Sequence, residues 1–163
     1  MRRFPTFAAV GGFILACALL AAMPLLALAH ESRAIGDGQY QIVVGFMNEP
    51  VFAGDKSGLE FWVTEVSAAT PSADEEAEGT PVEGLVETLQ AEVIFEDQTM
   101  ALPLTALWSE PGAYYSVFFP AAPGDYTFRI YGTIGETEID ETFTSGPETF
   151  SPVADPAPLR FPQ

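Results

Sequence analysis

The sequence predicts an all-β protein, an antiparallel β-sandwich of about seven strands preceded by an N-terminal hydrophobic segment. Three observations carry that expectation. After residue 30 helical spacing of apolar residues is hard to find, whereas short alternating or continuously apolar runs rich in Val, Ile, Phe, Tyr and Thr recur. Those runs are punctuated by Gly, Pro, Asn or Asp, the residues that turn a chain between strands. The stretch YTFRIYGTI alternates with period two, Tyr126, Phe128 and Ile130 facing one way and Thr127, Arg129, Tyr131 and Thr133 the other, as a strand with one face on a core requires.

In chain order, the first strand is expected over 40–46, closed by the polar loop Asn48-Glu49-Pro50 with Asp55, Lys56, Ser57 and Gly58. The second covers 59–66, where Phe61 and Trp62 alternate, so one of the two faces away from the core. Residues 67–80 hold Asp74, Glu75, Glu76 and Glu78 and no large aliphatic or aromatic side chain. With nothing to bury against the entropy of ordering, that segment reads as a mobile acidic loop, and its spacing does not match a calcium loop. Strands follow at 89–96, 100–104 and 114–119, the last entered through Pro111-Gly112-Ala113-Tyr114. A second Pro-Gly-x-Tyr, Pro123-Gly124-Asp125-Tyr126, opens the strand at 126–133. It has the form of a tyrosine corner, the hydroxyl bonding backbone near the turn, which gives the sandwich an immunoglobulin-like reading. A strand at 137–144 completes the set. Seven strands in so short a span fit two packed sheets better than a barrel wide enough for a ligand. Beyond Gly146, five prolines between 147 and 163 suggest an extended tail.

The first 29 residues read as a signal peptide. Arg2 and Arg3 precede an uncharged run, and Ala27-Leu28-Ala29 offers small residues for cleavage. The run over 7–28 is also long enough to span a bilayer, so an uncleaved anchor is the alternative, with membrane contact only through residues 7–29. Cleavage after Ala29 makes His30, the one histidine, the first residue of the mature chain. It also removes Cys17, the one cysteine, and with it disulfides, thiolate metal sites and cysteine nucleophiles.

The remaining chain is the size of one domain, 30–146, plus the tail. It keeps four basic residues against the same 23 acids, a formal charge of −19. Such a surface repels nucleic acid and anionic lipid and attracts cations or basic partners. No phosphate-cradling glycine loop is present, and a Ser-His-Asp arrangement would have to use a histidine at a chain terminus. The chain is therefore expected to be a binding protein and not an enzyme.

A histidine at a free N-terminus can hold one metal ion through its amine and its ring Nδ1, and amine and imidazole nitrogen suit Cu(II). The leader followed by His30, the small acidic all-β domain, and the stretches VVGFMNEPVFAGDKSGLEFWV and PGAYYSVFFPAAPGDYTFRIYG resemble exported immunoglobulin-like proteins of the YtkA-like and CopC-like type. The resemblance covers most of 30–146 and implies a sandwich fold and, for some members, copper handling. Copper-binding members typically add a second histidine and an acidic side chain to the terminal one. Only His30 carries over here, so Glu31, a carboxylate elsewhere or water must complete a Cu(II) site, and Met47 and Met100 are the thioether candidates for Cu(I). Trp62, Trp108, Tyr114 and Tyr115 are candidates for an aromatic surface facing a sugar or a protein. Two functions follow as expectations: an exported copper-handling protein of the periplasm, the cell surface or the medium, or a structural or adhesive module that contacts another exported protein without metal.

Overall fold

The structure, a computed structural model, describes residues 30–66 and 79–162. It is an all-β sandwich of two antiparallel sheets. The strands are β1 (His30–Ile35), β2 (Tyr40–Phe46), β3 (Ser57–Val66), β4 (Gly79–Pro81), β5 (Leu89–Phe95), β6 (Gln98–Leu102), β7 (Thr105–Ala106), β8 (Ala113–Phe118), β9 (Thr127–Ile134) and β10 (Thr137–Thr144). One sheet runs β1-β2-β3-β8-β7, with β4 also paired to β3, and the other runs β10-β9-β5-β6. The seven strands expected from the sequence are all present. β1, β4 and β7 are additional, and residues 1–29, read from the sequence as a signal peptide, lie outside the described residues, as do 67–78 of the acidic stretch. Gly79 and Thr80, assigned to that loop from the sequence, instead pair with Val66 and Glu65.

The core follows from period-two alternation. Tyr40, Ile42, Val44 and Phe46 of β2 and Leu59, Phe61 and Val63 of β3 point inward against Phe128 and Ile130 of β9 and Phe143 of β10. Phe46 stands at the centre of an aromatic cluster with Phe118, Tyr126, Phe128 and Phe150, at centroid distances of 5.1 to 6.4 Å. Both Pro-Gly-x-Tyr turns place their tyrosine in this core. The Tyr126 hydroxyl donates to the Ala122 carbonyl at 3.0 Å and accepts from the Ala122 N–H at 3.3 Å, while Tyr114 donates to the Val82 carbonyl at 2.6 Å. At the first of these turns Gly112 has φ +78, and a Cβ there would lie 2.9 Å from the Val63 carbonyl, so the approach of turn to strand requires glycine.

The described part of the tail, 147–162, departs from the extended chain expected. Phe150 and Val153 are buried in the core. Val153 and Gly124 exchange backbone hydrogen bonds, and the Ala154 N–H donates to the Val51 carbonyl. The prolines keep this segment out of both sheets, but its aromatic side chain finds the gap beside Phe46 and Phe128. Burial of that ring outweighs the cost of fixing an extended chain.

Candidate functional site

His30 opens β1, where the sequence suggested a free terminus. It pairs with Gly45 of β2, and Gly45 in turn pairs with Glu60 of β3 and Glu60 with Tyr115 of β8. Directly paired residues share a face, so His30, Glu60 and Tyr115 all stand on the outer face of the six-stranded sheet. Gly45 between them has no side chain and is itself buried, covered by its neighbours on this face. Trp62, two residues beyond Glu60, borders the same site: its ring meets that of His30 at 5.2 Å with an interplanar angle of 79°. His30 Nε2 is enclosed and has no hydrogen-bond partner among the described residues.

Glu60 is half-buried, and desolvation raises its pKa above the ordinary carboxylate value. The neighbouring His30 opposes the shift and Glu110 adds to it. Its folded-state pKa therefore lies above the unfolded one, so Glu60 favours folding at acid pH, and that advantage is lost as pH rises through the raised value. Glu60→Gln is accordingly expected to raise the melting temperature at pH 8 in chelator-treated buffer, with the gain shrinking as pH falls into the range where the wild-type carboxyl is protonated. Melts of both proteins across pH check this, and a gain that is constant with pH would contradict it.

The other candidates separate. Glu31 lies on the opposite face of β1 from His30, paired with Val44, and its carboxylate accepts a hydrogen bond from Arg33. Met47 shares the outer face with His30. Its sulfur lies over Gly58, where a Cβ would come within 2.7 Å of Sδ. Met100 belongs to β6, at the edge of the other sheet, and is 48 % exposed. Of the aromatic candidates Tyr114 is in the core, Trp62 and Tyr115 are on the outer face, and Trp108 stands in solvent between β7 and β8. Among the described residues no three His, Cys, Asp or Glu side chains gather as a metal-binding group. An open hollow lies at the far end of β1, lined by Asp37, Gln39, Glu65 and Thr137, a strand's length from His30.

Comparisons with protein-family models, with curated proteins and with solved structures find no match. What can be said of the site rests on this chain's own residues. Sequence reasoning missed Glu60. Alternation put Glu60 on the same face as Trp62 but left open whether that face or the one with Leu59, Phe61 and Val63 is the outer one. Its partner was not readable, because the pairing of β1 with β2 leaves no apolar signature in HESRAI.

The outer face of the four-stranded sheet offers no comparable arrangement. There Arg129 donates two hydrogen bonds of 2.7 Å to Asp140 and lies 4.5 Å over the Tyr131 ring, so its charged groups satisfy one another.

Proposed function

We propose that this is an exported, non-enzymatic copper-binding protein whose metal site is built on His30. The observation that carries the reading is the placement of His30 and the half-buried Glu60 on one outer sheet face, flanking Gly45 in register, with Met47 on the same face and its sulfur over Gly58. Cleavage after Ala29 adds the His30 amine to this set. Nε2 is enclosed beside Trp62, and the other ring nitrogen, Nδ1, is the one that closes a chelate with the residue's own amine. Glu60 replaces Glu31 as the acidic ligand in this reading, and Met100 has no part in it. An amine, an imidazole and a carboxylate suit Cu(II), and a thioether adds an affinity for Cu(I). The surplus of acids raises the cation concentration near the surface.

The test is a Cu(II) titration of the mature protein, of His30→Ala, and of a form with one residue added before His30. Binding one to one is expected for the first, with a loss of about a hundredfold or more in affinity for both others, because the added residue separates amine from ring. Attraction to the acidic surface alone would survive both changes and fade with salt. Equal binding by all three proteins would refute the proposal. The second reading, an adhesive module without metal, is favoured by the exposed Phe119 and Val117 on the same outer face, and the same titration separates it.

A further inference from the structure

β1 is weakly anchored at the end that carries His30. Its strand partner is β2, and of its six residues only Ile35, at the turn end, is buried. The inward positions nearer His30 are Glu31 and Arg33, charged side chains where an interior strand would carry apolar ones. Arg33 is held from the opposite sheet. Its Nη1 donates to Glu141 Oε2 of β10 at 2.9 Å, its Nη2 donates to Glu31, and its guanidinium carbon lies 4.3 Å from the centroid of the Phe143 ring. β1 and β10 are the edge strands on one side of the sandwich, so this contact closes that side. Inward-pointing charge on an edge strand also discourages pairing with other chains, but a charge alone would do that without a partner across the gap.

We propose that Arg33 and Glu141 form a clasp that positions β1, so that copper affinity at His30 is set in part from the other sheet. The inference rests on the copper reading above. Arg33 points inward and His30 outward, so the clasp acts through the strand: Arg33 is a positioning residue and not a ligand. When β1 lifts from β2, His30 leaves the register that sets it beside Gly45 and Glu60, and the pair comes apart. The apparent affinity is then the intrinsic affinity reduced by the fraction of molecules with β1 docked. A terminal strand held by few buried contacts is the kind of element that opens locally while the rest of the domain stays folded.

The experiment compares wild type, Arg33→Ala, Glu141→Gln and the reciprocal exchange Arg33→Glu with Glu141→Arg, by amide hydrogen exchange and by Cu(II) titration well below the melting temperature. Arg33→Ala and Glu141→Gln should speed exchange of the β1 amides by about tenfold while those of β3 and β9 keep wild-type rates, and should weaken copper binding several-fold. The exchanged pair should recover part of both, which loss of packing alone would not. Unchanged β1 exchange would overturn the clasp, as would faster exchange with unchanged copper affinity. The His30→Ala titration distinguishes the two levels. If His30→Ala loses copper and the clasp variants do not, only the clasp falls; if His30→Ala binds copper like wild type, the copper reading falls and the clasp's role goes with it.

Discussion

Replacing Phe150 with Ala is expected to destabilise the protein by about 3–5 kcal/mol, the usual cost of deleting a phenyl ring from a packed core. Phe150 is fully buried. Its ring stacks on Phe128 at 5.6 Å and 22° and meets Phe46 edge-on at 5.6 Å. The chain that delivers it is tied down on both sides: before it the Thr149 hydroxyl donates to the Thr144 carbonyl, and after it the Ser151 N–H donates to Glu49 while Val153 and Ala154 bond to Gly124 and Val51. The surroundings cannot collapse into the space left by the ring, because Phe46 and Phe128 sit on opposing strands whose register is fixed by their own ladders. For a domain of this size the melting temperature should fall by about 10 °C or more. Deleting 157–163 is the contrasting case, since Leu159 and Phe161 are 71 % and 96 % exposed, and it should leave the melting temperature nearly unchanged. A loss below about 1 kcal/mol for Phe150→Ala would mean that the segment does not pack as described, since fully buried aromatic rings do not come away so cheaply.

These two deletions mark where the sequence could and could not be read. Prolines at 147, 152, 156, 158 and 162 announce an extended chain, and the backbone there is indeed outside the sheets. What they cannot announce is that an aromatic within the stretch has a place prepared by Phe46 and Phe128, more than a hundred and more than twenty residues away. The same holds for β1. Six residues with four polar side chains carry no strand signal of their own. They become a strand because Val44, Ile42 and Tyr40 offer a regular edge and because Glu141, 108 residues on, supplies the charge that Arg33 needs. Where alternation is strongest, as in β9, faces as well as the strand were legible. The choice between Phe61 and Trp62 was left open by alternation alone. It is decided by register: Phe61 stacks on Tyr114 at 5.2 Å in the core, which sends Trp62 outward to His30. The candidate site was therefore half legible. His30 stood out as a single residue of its kind, whereas Glu60 acquires its place only through the pairing of three strands.

Tyr126 joins the two kinds of information, and substitution there should divide its contribution into two parts. The Phe variant keeps the ring among Phe46, Phe95 and Phe118 and removes the hydroxyl. That hydroxyl serves both the carbonyl and the N–H of Ala122, which lie in successive peptide groups, so its loss takes one partner from each beside the turn, at a cost of about 1–2 kcal/mol. Tyr126→Ala removes the ring as well and should cost about 3–5 kcal/mol, because three neighbouring rings then border a cavity. Denaturant melts measure both, and an unchanged slope would show that the two variants differ from wild type in stability and not in how much surface unfolding exposes. Were the Phe variant as stable as wild type, the N–H and carbonyl of Ala122 would be solvated without the hydroxyl, and the turn Pro123-Gly124-Asp125 would owe its shape to backbone alone. Were it as damaging as Ala, the hydroxyl would be holding the ring in place. The backbone argues against that second outcome: the Tyr126 N–H donates to Ser145 Oγ and its carbonyl accepts from the Ser145 N–H, so the residue is anchored on both sides before its side chain makes any contact. The ring then packs because the strand has already aimed it, and the hydroxyl fastens the turn to a side chain that is fixed independently.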